Sequence, residues 1–179
     1  MIDITRTVRS ILKARVYPAA SVTPTQVMPM LSRETGHDVR VKREDLQSVF
    51  SFKIRGAANK ISGLDAQELK RGVIAASAGN HAQGVAVAAA HRKTSALIVM
   101  PRTTSDIKVK AVRAYGAEVN LFGDTFHEAL REAQRQQTKT GRVFVHPFDD
   151  PAVIAGQGTV GLEILRQVDS VIEAIFVPV

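Results

Sequence analysis

Apolar and polar positions along this chain change their spacing in a regular way, most clearly in its second half. Short apolar runs at Val73–Ala76, Ser95–Met100, Glu118–Phe122 and Arg142–Val145 predict four strands. Between them the spacing becomes helical. An alanine-rich helix is expected over Asn80–Lys93, and a second, capped by Ser105, runs through Tyr115 and stops at Gly116. A third spans Thr125–Thr140, with Phe126, Ala129, Leu130 and Ala133 on one face. The resulting β-α-β-α-β-α-β order predicts an α/β fold with a parallel sheet and right-handed crossovers. Ligands of such sheets bind beyond the carboxyl ends of the strands, which is where Ser77–His81 leaves the first of the four.

The flanking segments are less regular. Thr5–Arg15 predicts a helix with Val8, Ile11, Leu12 and Val16 on one side, and Tyr17-Pro18 and Thr23-Pro24 turn the chain into a loop. A short helix over Met30–Thr35 ends at Gly36, a strand follows over Val39–Arg43, and Ser51 can cap a helix continuing to Ser62. Beyond Arg142–Val145, an irregular connection over Pro147–Pro151 leads to a helix over Ala152–Val168 with a glycine-rich interruption, then to an apolar strand over Ala174–Val179. A sequence that stops on an apolar strand reads as a fragment.

Composition narrows the class. The 179 residues suit one large domain or two small ones, and 45% apolar with 23% charged residues is ordinary for a globular protein. No apolar run is long enough to span a membrane, and the start does not resemble a signal peptide. Without cysteine there is neither a disulfide framework nor a thiolate metal site, which makes the cytoplasm the expected compartment. The net charge of +7 raises the question of nucleic acid, but the basic residues form no stripe or tail, and two tyrosines with no tryptophan leave little for base stacking. The five histidines share no metal-ligand spacing, so no metal is expected.

Two stretches carry candidate chemistry. In SFKIRGAANK (Ser51–Lys60), Lys53 follows Phe50 and Phe52, and aromatic walls beside an amine desolvate it, lower its pKa and make it a nucleophile toward carbonyls. In SAGNHAQG (Ser77–Gly84), small residues and free backbone N–H groups at a helix start suit a carboxylate or phosphate, with the Ser77 hydroxyl and the Asn80 amide as further donors. The plainer alternatives are a surface lysine and an ordinary capped turn. GQGTVG (Gly156–Gly161) fits a dinucleotide fingerprint only in its glycines, because no strand leads directly into it, and it is read as helix packing. Asp149-Asp150 beside Pro151 reads as a helix start, and no G-x-S-x-G elbow accompanies Ser77 and His81.

Taken together, VKREDLQSVFSFKIRGAANKI (41–61), ASAGNHAQGVA (76–86), ALIVMP (96–101), KVKAVRAYGAEV (108–119) and HPFDDPAVIAGQGTVGLEI (146–164) resemble the pyridoxal-phosphate-dependent threonine dehydratases of the tryptophan-synthase-β-like group. The resemblance implies a fold-type-II catalytic domain, with residues 53–150 as the smaller domain and residues 1–52 and 151–179 as incomplete parts of the larger. It implies pyridoxal 5'-phosphate as cofactor, Lys53 as the Schiff-base lysine, Phe52 against the cofactor ring and Asn80 on its ring oxygen. Ser77, Gly79, Asn80 and His81 would hold the substrate carboxylate. The implied reaction converts L-threonine to 2-oxobutanoate and ammonia, and L-serine more weakly, for isoleucine synthesis or threonine breakdown. Ala78 stands where related racemases place a proton-donating serine, which favours elimination. Phe50 departs from the histidine common in the family, and the family's phosphate-binding loop would begin after Val179. The implied partners are the amino-acid substrate and further copies of the same chain, with neither nucleic acid nor membrane. A different class, a non-catalytic fragment or interaction module that keeps the fold but does not hold the cofactor, is the alternative, and a related serine dehydratase or racemase is a further one.

Overall fold

Every residue of Val73–Ala76 and of Ala96–Met100 is buried, because these two strands form the middle of a four-stranded parallel sheet. The structure is a computed structural model and describes residues 3–177. In chain order the elements are α1 (Ile4–Leu12), β1 (Thr25–Val27), α2 (Pro29–Thr35), β2 (Arg40–Lys42), a 3-10 turn (Glu44–Leu46), α3 (Lys53–Ser62) and α4 (Ala66–Arg71). They continue with β3 (Val73–Ala76), α5 (Asn80–His91), β4 (Ala96–Met100), α6 (Asp106–Ala114), β5 (Glu118–Leu121), α7 (Phe126–Thr140), β6 (Val143–Phe144) and α8 (Pro151–Gln167). The sheet order is β5-β4-β3-β6, with Val73 beside Ala96 and Val143, and Leu97 beside Glu118.

Alternation along the two central strands divides the core between the faces of the sheet. Val73, Ala75, Ala96, Ile98 and Met100 pack with Ala57 and Ile61 of α3, Ala82, Val85 and Ala89 of α5, and Val109 and Val112 of α6. Ile74, Ala76, Leu97 and Val99 pack on the other face with Ala129 and Ala133 of α7. Both faces being covered is the reason the strands read as unbroken apolar runs. A third cluster of Val16, Ala20, Val49 and Ile54 seats the loops that precede α3.

The flanking regions differ from expectation in several places. The first helix ends at Leu12, and Val16 is buried in the loop that follows. Thr25–Val27, expected as loop, pairs antiparallel with β2. Helix α4 was not anticipated, although Asp65 and Glu68 form a complete capping box before it. Phe52 occupies the position before α3, while the Ser51 hydroxyl accepts from the Lys53 N–H at 3.3 Å, and Ser105 precedes α6 without a side-chain cap bond. Asp150 starts α8 by accepting from the N–H groups of Ala152 and Val153. The glycines of α8 do not interrupt it. Residues 171–177 form no strand, and Ile175, Phe176 and Val177 are exposed with no strand paired to them among the described residues; residues 178 and 179 lie outside the described part.

Helix α3 is held by its backbone and by charge. A Cβ on Gly84 of α5 would lie 3.1 Å from the N and Cα of Ile54, and one on Gly156 of α8 would collide with the Arg55 carbonyl and Gly56. Glycine permits both approaches. Between them Arg55, fully buried, makes paired bonds to Glu44 (2.8 and 2.7 Å) and to Glu163 (2.6 and 2.9 Å) and a further bond to the Thr159 hydroxyl. Lys42 donates to Glu163 at 2.7 Å and the Tyr17 hydroxyl donates to the same carboxylate at 2.9 Å, so the N-terminal hairpin, α3 and α8 meet at one carboxylate.

Burial alone would raise the Glu163 pKa, but bonds from Arg55 and Lys42 overcome it and hold the carboxyl at about 2, against 4.5 for a free glutamate. A depressed carboxyl stabilises the fold above its unfolded pKa and ceases to do so as the pH falls through its folded value. Glu163→Gln is therefore expected to flatten the fall in stability between about pH 4.5 and 2, measured by urea titration at a series of pH values. Glu163→Ala, which leaves buried cations unpaired, is expected to cost about 3–5 kcal/mol near neutral pH in the same assay.

Candidate functional site

The first residue of α3 is Lys53, which the two glycine contacts and the Arg55 network set at the carboxyl edge of the sheet. Its Nζ donates to the carbonyl of Pro147 at 3.0 Å, in the segment that leaves β6. The Phe52 ring lies alongside, 5.3 Å from Nζ to its centroid. Burial lowers the Lys53 pKa below the ordinary lysine value, and among the described residues it has no carboxylate partner to restore it. A neutral carbonyl brings no opposite charge to offset the burial.

Beside this amine, β3 ends and α5 begins. The Ser77 hydroxyl accepts from the N–H groups of Gly79 (3.2 Å) and Ala82 (3.3 Å), folding the turn upon itself. Among the described residues the backbone N–H groups of Asn80 and His81 have no protein acceptor, and the space where a Gly79 Cβ would stand is open. Free donors at the first turn of a helix suit an anion. The Asn80 side chain is exposed, while the His81 ring is buried with its Nε2 bonded to the Val145 carbonyl at 2.9 Å. Burial drives the His81 pKa down to about 4; its bond to Val145 opposes this, and the charges of Lys53 and His146 add to it.

The structure thus brings Lys53, Phe52, Ser77, Gly79, Asn80 and His81 to one edge, with the His81 ring turned to the β6 backbone and only its N–H left for the turn. Two features carry no mark in the sequence. The Pro147 carbonyl is a backbone acceptor, and Phe50 lies at φ 56°, a left-handed conformation that costs a bulky residue about 1–2 kcal/mol. The N–H of Phe50 donates to the Gln47 carbonyl at 2.8 Å, and Gln47 is itself buried and bonded to both backbone groups of Ser21. A tight turn thereby presents a 74% exposed phenylalanine three residues before Lys53. Among the described residues no group of three or more histidine or acidic side chains could hold a metal ion.

Sheet, helix start and partly buried amine together define an α/β protein with an amine beside a helix N-terminus at its carboxyl edge. The sequence profile of the family described as "Pyridoxal-phosphate dependent enzyme" matches residues 16–179, and the chain belongs to that family. It is 54% identical over 170 residues to "Threonine dehydratase 1 biosynthetic, chloroplastic" of Solanum lycopersicum, covering 95% of this chain and 28% of that protein. The processed form of threonine deaminase isoform 2 from the same plant superposes with a TM-score of 0.89 at 50% identity, over 92% of this chain and 46% of that one. Maize serine racemase superposes at 0.87 with 37% identity, over 90% and 50%. The chain therefore spans under a third of the length of the first of these and about half of the two solved chains. The fold is that of the fold-type-II members, and the family's cofactor is pyridoxal phosphate.

The residues present fit the aldehyde end of that group, since a partly buried amine with a lowered pKa, bound to a neutral carbonyl, suits attack on a carbonyl carbon. The low pKa of His81 leads to a direct expectation. The unfolded chain takes up a proton near pH 6.5 that the folded one refuses until about 4, so stability falls as pH drops across that window. Ring-resonance NMR of His81 should show its titration near pH 4; a midpoint near 6.5 would contradict the buried placement.

Proposed function

We propose that this chain carries the amine and the carboxylate-holding turn of a pyridoxal-phosphate-dependent threonine dehydratase, converting L-threonine to 2-oxobutanoate and ammonia and L-serine more weakly. The observation that carries the reading is the desolvated Lys53 amine beside the free N–H groups that open α5. The names of relatives about half identical to this chain support the choice of substrate.

In this reading Lys53 holds the cofactor and its Nζ takes the proton from the substrate Cα. Phe52 packs against the cofactor ring, and the Asn80 amide donates to the ring oxygen. Ser77, Gly79, Asn80 and His81 surround the substrate carboxylate, His81 through its backbone N–H, because its ring is committed to Val145. Pyridoxal phosphate, when bound, supplies the electron sink that makes the Cα proton removable. As the Cα–H bond breaks toward Nζ, the pair released forms the Cα–Cβ double bond and expels the β-hydroxyl, which takes up the proton carried by Nζ and leaves as water. A later water releases the nitrogen as ammonia. Ala78 has no hydroxyl with which to return a proton from the opposite side, which favours elimination over racemisation.

The division into a smaller domain over residues 53–150, with 1–52 and 151–179 belonging to a larger one, is part of the same proposal, as are a cytoplasmic setting, a homo-oligomer and a role in making isoleucine. The names of both bacterial and plant relatives include "biosynthetic". Among the described residues no helix is long and apolar enough to cross a membrane.

The test is a borohydride trap with pyridoxal phosphate followed by peptide mapping. Label is expected on Lys53, and label confined to another lysine would sink the assignment. The second reading is a non-catalytic fragment or interaction module that keeps the fold without holding the cofactor. Adding cofactor and threonine separates the two. Formation of 2-oxobutanoate by these 179 residues would refute the second, and absence of a cofactor absorption band would favour it.

A further inference from the structure

The Lys53 amine rests on a carbonyl, and that carbonyl is secured on both sides by histidines. We infer that the buried His81 ring and His146 form a clasp that fixes the Pro147 carbonyl as the resting place of the Lys53 amine. The inference builds on the reading of Lys53 as the reacting amine, and it assigns both histidines as positioning residues.

The geometry is specific. Before Pro147, the Val145 N–H continues the sheet by donating to Ile74 at 2.9 Å, and its carbonyl takes the His81 Nε2–H at 2.9 Å. After it, the His146 Nδ1 accepts from the N–H groups of Asp149 (2.7 Å) and Phe148 (3.3 Å), closing the turn. The His146 ring is itself braced edge-on by Phe148, with centroids 4.7 Å apart. Pro147 lies between these ties with its own φ restricted by the ring. Its carbonyl is left one orientation, 3.0 Å from Nζ.

Histidine chemistry suits both posts. Val145 offers an acceptor, so the His81 ring carries its proton on Nε2, and its Nδ1 is buried without a partner. A lysine or arginine reaching the same carbonyl would set a second fixed charge beside Lys53. At His146 the same logic is inverted, since Nδ1 must be an acceptor and the proton sits on Nε2. At His81 the clasp therefore sets no fixed charge beside the amine it positions. Once the amine has left to react, the carbonyl stays where it was, and the free lysine returns to a prepared site.

The clasp is testable without cofactor. Burial is what depresses the Lys53 pKa, so loosening residues 145–149 admits water and raises it. Competitive acetylation with trace acetic anhydride, read at Lys53 by mass spectrometry across the alkaline range, gives the midpoint directly. His81→Leu is expected to move that midpoint up by on the order of half a pH unit, roughly a threefold loss of free amine at neutral pH. His81→Gln, whose amide N–H stands close to the position of Nε2, is expected to recover most of the shift. His146→Leu, which cuts the other tie at a half-buried position, should shift it in the same direction and serves if His81→Leu does not fold. Unchanged midpoints in the Leu variants that fold, or a His81→Gln midpoint matching His81→Leu, would overturn the clasp. The borohydride trap is independent: label elsewhere with a shifted midpoint removes the catalytic assignment alone, and label on Lys53 with an unmoved midpoint removes the clasp alone.

Discussion

Arg55 is buried beyond the reach of water, and everything near it is arranged to make that tolerable. Its guanidinium is bound bidentately by Glu44 and by Glu163, two carboxylates that reach it from opposite sides of the chain. Burial works against its charge, and the two carboxylates more than offset that. An arginine placed there with one carboxylate missing would be among the most costly groups in the molecule. The arrangement therefore forms as a whole, and forming it brings together the turn before α3, α3 itself, and α8, more than a hundred residues later. Lys42, Thr159 and Tyr17 complete the bonding of the same carboxylates and guanidinium. Two residues upstream of this anchor stands Lys53, so the reactive end of the helix inherits the rigidity of its charged middle.

Much of this architecture was open to reading from residues alone, and the reasons differ by element. β3 and β4 were plain because both of their faces are covered, which leaves no polar position in either strand. The ends of α2 and α6 were marked by Gly36 and Gly116, both with positive φ. Helix α4 carries its own mark in the capping box of Asp65 and Glu68. β1 is too short and too exposed for its alternation to register. The glycines of α8 do not interrupt it as expected, but their reading as helix packing holds at Gly156, which lets the α3 backbone cross closely. The apolar residues near 175 signalled a strand, but a strand requires a neighbour to pair with.

The candidate site divides in the same way. Lys53 stood out through its aromatic company and Ser77–His81 through its small residues, both properties of side chains adjacent in sequence. What joins them was hidden: the Pro147 carbonyl belongs to the backbone, and the His81 bond to Val145 spans 64 positions. Arg55 went unremarked because a lone arginine on a helix is usually at the surface, and only the three-dimensional meeting with Glu44 and Glu163 makes it central.

The glycine crossings on either side of α3 bear on how the amine can move. Backbone meets backbone at Gly84 and again at Gly156, leaving no slack for the helix to slide, roll or tilt without rebuilding both neighbours. Lys53 is thus a tether on an immovable post. Whatever path its nitrogen follows is drawn by rotation about the bonds of four methylenes, and the length of that arm, rather than any motion of the fold, sets how far the reactive atom can travel.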